Sequence, residues 1–221
     1  MSMMRFSRYA GNPNVGVYAA VNENLGFVAT DADPAFMKDV EETLGVEMFM
    51  TTVAGSFVVG SLVAMNSNGL IVSEMVDGKE FKLFSEHIEV GVIDDRMNAA
   101  GNNILVNDYG AIVSPEMGRK AMETIEDVFG VEAVRSTIAG YTTVGSVCRA
   151  TNKGCVCGTD ATDEDIALIK DVLGVEAIRS TVNHGIKYLG AGILANSKGA
   201  VVGDLTTPIE MGKIEDGLVL Y

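Results

Sequence analysis

Two glycines recur five times along this chain at a spacing of about 43 residues, the period of repeat arrays and rings. The first set is Gly16, Gly60, Gly101, Gly145 and Gly190; each is followed, nine or ten residues on, by Gly26, Gly69, Gly110, Gly154 or Gly199. A period of that length means one supersecondary unit copied along the chain. Each copy is too small to bury its own apolar face, so neighbouring copies must stack. Four of the second glycines stand in matching contexts, Asn66-Ser-Asn-Gly69, Asn107-Asp-Tyr-Gly110, Asn152-Lys-Gly154 and Asn196-Ser-Lys-Gly199; the first copy, Asn22-Glu-Asn-Leu-Gly26, is looser. Asn and Gly tolerate positive φ, which predicts a tight turn between strands at each site. The apolar runs around them, Val58–Ala64, Leu70–Val72, Ala111–Val113 and Ala200–Val202, predict the strands.

Each hairpin leads into a helix. Asp33-Pro34, Ser114-Pro115 and Thr207-Pro208 each offer an N-cap followed by proline at the first helical position. Thr207 with Glu210 makes a capping box, and Thr162 precedes three acidic residues that suit a helix N-terminus. Apolar residues then follow helical spacing: Met37, Val40, Leu44; Phe81, Phe84, Ile88; Met122, Ile125, Phe129; Ile166, Ile169, Leu173; Met211, Ile214, Leu218. Gly45, Gly130 and Gly174 stand where a left-handed C-cap is expected. A third strand returns at Val46–Val53, Val131–Ile138 and Val175–Val182, and around Glu89-Val90 in the second copy. The fifth copy ends with its helix, and Arg5–Tyr9 is placed to supply its missing strand, closing a ring with no open edge. The expected fold is therefore α/β, a five-fold pseudosymmetric ring of strand–strand–helix–strand units. The units fall at about residues 10–53, 54–96, 97–138, 139–182 and 183–221 of a single domain closed by residues 5–9. Five helices and no tryptophan argue against an all-β propeller of similar period.

Composition narrows the function. At 48% hydrophobic the 221 residues can bury a core, and 30 acidic against 16 basic side chains give a formal charge of −14. That field repels bare phosphate backbones and suits a basic protein partner. The opening nine residues hold no stretch apolar enough for a secretory leader, and no run reaches the ~20 apolar residues that span a bilayer. Three cysteines are too few for a disulfide framework, which points to the cytoplasm.

Chemical motifs are sparse. Leu189–Ala195 matches the dinucleotide pattern G-x-G-x-x-A, but a turn follows at once and the aligned segments read as strands rather than as a strand opening a helix. No phosphate-binding P-loop pattern occurs, so no cofactor is expected. Cys155 and Cys157 share a strand face with Cys148 across the hairpin, short of the four ligands of structural zinc; buried apolar thiols are the simpler reading. His184 with one of these thiols is the only conceivable nucleophile pair. The acidic run Asp160–Asp165 is accounted for by the start of a helix, and the twelve methionines by core packing. One constellation stands out. Ser61, Asn102, Ser146 and Ala191, each following a first-set glycine, occupy equivalent places and should outline one end of the ring; close strand packing is the competing explanation.

Residues 102–116, Thr143-Val-Gly-Ser146 with Thr151-Asn-Lys-Gly154, and residues 196–203 with Thr206-Thr207 together resemble the translation initiation factor 6 family in its archaeal form, from about Arg5 to the end. The resemblance implies a pentein-type α/β propeller and a ribosome anti-association factor. In that family the factor binds the intersubunit face of the large ribosomal subunit at the L14 protein, with the L24e protein and the sarcin–ricin loop nearby. It blocks the small subunit, takes part in large-subunit maturation, and is released by an elongation-factor-like GTPase with a maturation protein. Carried over by motif, its interface falls on Gly60 and Ser61, Gly101 and Asn102, Gly145 and Ser146, and Gly190 and Ala191. The chain stops at Tyr221, without the C-terminal tail of eukaryotic members. The rival reading is a guanidine-modifying enzyme of the same ring fold. Those enzymes place their cysteine near the chain's end, whereas residues 186–221 contain none.

Overall fold

The computed structural model describes residues 3–221; Met1 and Ser2, the start of the segment searched above for a leader, lie outside the described residues. Strand β1 (Met4–Ser7) comes first. The first blade follows with a 3-10 turn at Val15–Val17, then β2 (Ala19–Val21), β3 (Leu25–Ala29), α1 (Pro34–Leu44) and β4 (Glu47–Thr51). The second holds α2 (Val59–Leu62), β5 (Ala64–Met65), β6 (Gly69–Ser73), α3 (Gly78–Ser85) and β7 (Glu89–Ile93). The third holds α4 (Ala100–Asn103), β8 (Ile104–Val106), β9 (Ala111–Val113), α5 (Arg119–Phe129) and β10 (Ala133–Arg135). The fourth holds α6 (Val144–Val147), β11 (Cys148–Ala150), β12 (Cys155–Gly158), α7 (Asp163–Leu173) and β13 (Ala177–Ser180). The fifth ends the chain with α8 (Leu189–Gly192), β14 (Ile193–Asn196), β15 (Gly199–Gly203) and α9 (Pro208–Leu218).

The strands make five three-stranded sheets. In each, the middle strand pairs antiparallel with the first and parallel with the third. In four blades the helix is the crossover that a parallel pair requires. In the fifth blade the parallel partner of β15 is β1, running from Met4 opposite Ala200 to Ser7 opposite Gly203. Each middle strand is fully buried on both faces (the half-buried Leu25 apart), because helices wedge between blades: α1 packs on β15, α5 on β7, α7 on β9 and α9 on β13. The core therefore lies between the blades, with Phe27, Phe36 and Phe84 in one cluster and Ile125 with Phe129 in the next.

The second-set glycines prove to serve this wedging rather than positive φ. Gly69, Gly110, Gly154 and Gly199 lie outside the left-handed region. A Cβ at these positions would strike Val128 of α5, Val172 of α7, Gly217 of α9 and Thr43 of α1 respectively. The turn itself is built by the preceding side chain: Asn66 Oδ1 accepts the amides of Asn68 and Gly69, and Asn107 Oδ1 those of Tyr109 and Gly110. Asn22 does the same for Asn24 and Leu25, so the first copy is regular and its true counterpart of Gly69 is Leu25, not Gly26. A leucine fits there because α3, at 8 residues, is shorter than the other 11-residue helices and stops before it crowds the turn.

Helix starts agree with the sequence at Asp33, Thr162 and Thr207, each of which accepts the amide of N3. The third blade differs. Ser114 and Pro115 do not open a helix but make a turn, in which Met117 donates to Ser114 O; α5 begins only at Arg119. Its N-cap is Gly118, whose amide is taken by Asp95 Oδ2 of the preceding loop, so the cap arrives from outside the segment. Gly45, Gly130 and Gly174 take the left-handed conformation, with φ of 59°, 65° and 66°. No helix among the described residues is long and apolar enough to cross a membrane.

Candidate functional site: an uncharged depression on the ring axis

The segments around the first-set glycines, expected as strands, are single helical turns that precede the first strand of each blade. This is clearest at Val59–Leu62 and Leu189–Gly192. The latter places helix before strand, the reverse of the order a dinucleotide fingerprint needs. The five turns meet around the axis. A Cβ on Gly60 would overlap the carbonyl oxygen of Gly16, and Gly101 stands likewise to Gly60, Gly145 to Gly101, Gly190 to Gly145, and Gly16 to Gly190. Glycine at all five places lets Cα–H groups sit directly on neighbouring carbonyls, which draws the turns into an iris across the ring.

On one side of this iris lies a depression of about 570 Å³. Its floor comprises Val17, Ser61, Asn102, Ser146 and Ala191, one residue from each turn; its wall includes Pro13, Asn14, Thr143, Asn183, Ile186, Tyr188 and Leu205. The structure thus brings together the four post-glycine residues singled out in the sequence. Gly60, Gly101, Gly145 and Gly190 are not in that lining; the first three face a smaller cavity on the opposite side of the iris. The side chains of Ser61, Asn102 and Ser146 make no hydrogen bond to any described residue, so their polar atoms are free for a partner.

Sequence reasoning missed Val17 and the apolar wall. Ile186 and Tyr188 are each 43% exposed and Leu205 58%, a grouping of apolar surface beside the small-residue floor. It also missed the tight turns that lead into the iris. Ala10-Gly11, Ala54-Gly55 and Ala139-Gly140 all have positive φ at both residues and are flanked by isolated bridges such as Val53 to Ser56 and Ile138 to Tyr141. The recurring Ala-Gly pair was a readable signal of this two-residue hairpin geometry. The fifth copy carries one residue more, Asn183-His184-Gly185, all with positive φ, and this pushes Ile186 and Tyr188 outward.

Buried carboxylates lock these turns to the helix that follows. Glu80 accepts from the amides of Ala54, Gly55 and Asp77 and from Thr52 Oγ1. Glu210 accepts from the amides of His184, Gly185 and Thr207 and the hydroxyls of Thr181 and Thr207. Burial alone would raise the Glu210 pKa, but these donors outweigh it and hold the carboxyl down at about 2.

Among the described residues, those that line the depression include no carboxylate, imidazole, amine, guanidinium or thiol. Cys148, Cys155 and Cys157 are buried in the fourth blade, with Cys148 opposite Cys157 in the ladder. Burial pushes the Cys157 thiol up to about 12 and Cys148 well above its ordinary value, leaving both as inert thiols. No group of three or more His, Cys, Asp or Glu among the described residues is arranged to hold a metal. The site offers the neutral hydrogen-bonding groups of Ser61, Asn102 and Ser146 beside apolar surface.

Residues 4–217 match the model of the eIF-6 family. The chain is 42% identical over 207 residues to translation initiation factor 6 of Methanoculleus marisnigri, covering 94% of each chain. It is 37% identical to that of Methanosphaerula palustris over 97% of each, and 39% identical to that of Archaeoglobus fulgidus over 94% of this chain and 96% of the other. Among solved structures, the N-terminal domain of ArgZ, an arginine dihydrolase of Cyanobacteria, superposes with a TM-score of 0.51 at 10% identity, over 85% of this chain and 71% of that one. At that identity the likeness bears on the ring fold alone. With residues 4–217 matched, the chain belongs to the translation initiation factor 6 family.

Proposed function

We propose that this initiation factor acts by docking, not catalysis. The iris end of the ring seats on a basic protein of the large ribosomal subunit's intersubunit face, the surface that includes the L14 and L24e proteins near the sarcin–ricin loop, and so keeps the small subunit away. The observation that carries this reading is the uncharged depression floored by Ser61, Asn102, Ser146 and Ala191. Depletion of charge at the centre with exposed aromatic and aliphatic groups beside it is the composition of a protein interface core. The surrounding charge of −14 would steer a basic partner in and repel misplaced rRNA. The same reading places the protein in the cytoplasm and assigns it a part in subunit maturation, with release by an elongation-factor-like GTPase and a maturation protein.

A cysteine-dependent, guanidine-modifying activity is disfavoured on this chain's own chemistry. Its three thiols are buried in the fourth blade, burial holds those of Cys148 and Cys157 protonated, and none lines the depression.

Co-sedimentation with isolated large subunits tests the proposal. The protein should pellet with them and, in excess, reduce the fraction of joined ribosomes. A double substitution, Asn102→Glu with Ser146→Glu, should weaken binding by at least ~30-fold, about 2 kcal/mol, if these residues occupy a desolvated interface centre. Both side chains are free of internal partners, so thermal stability should stay unchanged. Undiminished binding by a folded double variant would move the interface elsewhere on the ring.

A further inference from the structure

The other side of the iris holds a second feature, unrelated to docking. A small cavity of about 60 Å³ lies on the axis, lined by Gly60, Gly101 and Gly145 at its inner end and by the Asn turns toward its mouth, with Arg149 among its walls. Arg149 is the middle residue of β11, and its counterparts in the other four innermost strands are Ala20, Ala64, Leu105 and Leu194. Packing at this position is thus satisfied by apolar side chains, and the guanidinium is peculiar to one blade.

The charge of Arg149 is poorly met. Nη2 donates to Gly190 O at 2.7 Å, while Nε is buried with no hydrogen-bond partner. None of the ion pairs among the described residues includes Arg149. The two carboxylates of the cavity wall are committed elsewhere: Glu23 accepts from the amide and hydroxyl of Ser197, and Asp108 from those of Ser67 and from Asn152 Nδ2. The Cys148 thiol beside it stays protonated, since burial raises its pKa well above the ordinary value. Desolvation brings the guanidinium itself down only to about 10, so it remains charged at neutral pH. The Arg149 side chain is half-buried and lines a space large enough for a small ion, and a cation so far withdrawn from water gains from a counter-charge.

We propose that the axial cavity is a binding site for a small monovalent inorganic anion, of chloride or nitrate size, held against the Arg149 guanidinium. The small volume suits a small ion, and the carboxylates in the wall disfavour polyvalent anions. The bound ion supplies the counter-charge that the fourth blade lacks.

The test is thermal unfolding of the full chain in sodium gluconate, an anion too large for the cavity, against sodium chloride and sodium nitrate at matched ionic strength. Chloride and nitrate should each raise Tm by about 5 °C at roughly twenty times Kd, with a logarithmic rather than linear dependence on concentration. The shift should vanish in Arg149→Leu, a side chain that two equivalent positions already accommodate. Independently of any variant, the ³⁵Cl resonance should broaden in the presence of the protein and sharpen again on adding nitrate. Equal Tm in gluconate and chloride, an undiminished response in Arg149→Leu, or an unbroadened ³⁵Cl line would overturn the proposal and leave water as the cavity's content.

Discussion

At the scale of single residues, glycine does two distinct jobs here, and at one further position neither, so its replacement carries different penalties. At the iris, Gly101 stands against the Gly60 carbonyl, a backbone atom that cannot rotate away. Gly101→Ala should destabilise the protein by about 3 kcal/mol or more, read as a fall in the urea midpoint, because one whole helical turn must shift. At Gly55 a Cβ would meet open space, but φ is +71°, so only the left-handed strain of about 1–2 kcal/mol applies. Gly212 has neither constraint: it lies inside α9 with nothing near a Cβ. Gly212→Ala should therefore stabilise by about 1 kcal/mol through helix propensity. An equal response of Gly101 and Gly212 to alanine would contradict the close-packed iris. Asparagine divides in the same way. Asn22, Asn66, Asn107 and Asn196 each bond the next blade's backbone through Nδ2, whereas Thr151 cannot, and Arg149 reaches Gly190 O across that same junction.

At the scale of elements, the turn-and-helix clamps couple stability to pH. The folded pKa of Glu210, about 2, lies below the ~4.3 of an unfolded glutamate, so its contribution is complete above the unfolded value and is lost as pH falls through the folded one. The window runs from about pH 4.3 down to about 2, and the amount at stake is about 3 kcal/mol at most. Glu210→Gln should lower the urea midpoint at pH 7 and flatten the wild-type decline across that window; a variant with the wild-type acid limb would assign it to other groups. The N-cap at Thr207 and the box with Glu210 could be read in the sequence because every atom involved lies within four residues. The start of α5 could not, since the acceptor that takes the Gly118 amide is Asp95, some twenty residues earlier and brought close only by the fold. The one-turn helices of the iris were equally hidden. Val58–Leu62 has the apolar composition of a strand, yet Val59–Leu62 makes a helical turn whose Gly60 stands against the Gly16 carbonyl. The post-glycine residues of the site were legible as equivalent positions. The apolar wall of Ile186, Tyr188 and Leu205 was not, since it draws on two separate loops, one of them a turn with one residue more than its three counterparts.

At the scale of the whole molecule, the ring has one seam that is not covalently continuous: β1 joined to β15. Four residue pairs make the ladder, Met4 is buried beneath it, and Arg5 and Ser7 reach Asp39 on α1, with Arg5 also on Glu42. Exposed ion pairs of this kind contribute little, so the seam's strength rests on the ladder and the apolar contact. Because α1 packs on both β1 and β15, the seam is also where the first and fifth blades share a core. Removing residues 1–8 would open the edge of β15, strip one wall from that core and leave α1 half-covered. A loss of about 4 kcal/mol is expected, a Tm fall of roughly 8–16 °C for a chain of this size. Hydrogen exchange should quicken first in β14, β15 and α1 and last in the third blade, on the far side of the ring. Adding the missing strand back as a free peptide should restore both Tm and protection, because every partner it needs is still present. A truncated chain that melts like the intact one, with even exchange around the five blades, would mean that the iris of glycines closes the ring by itself.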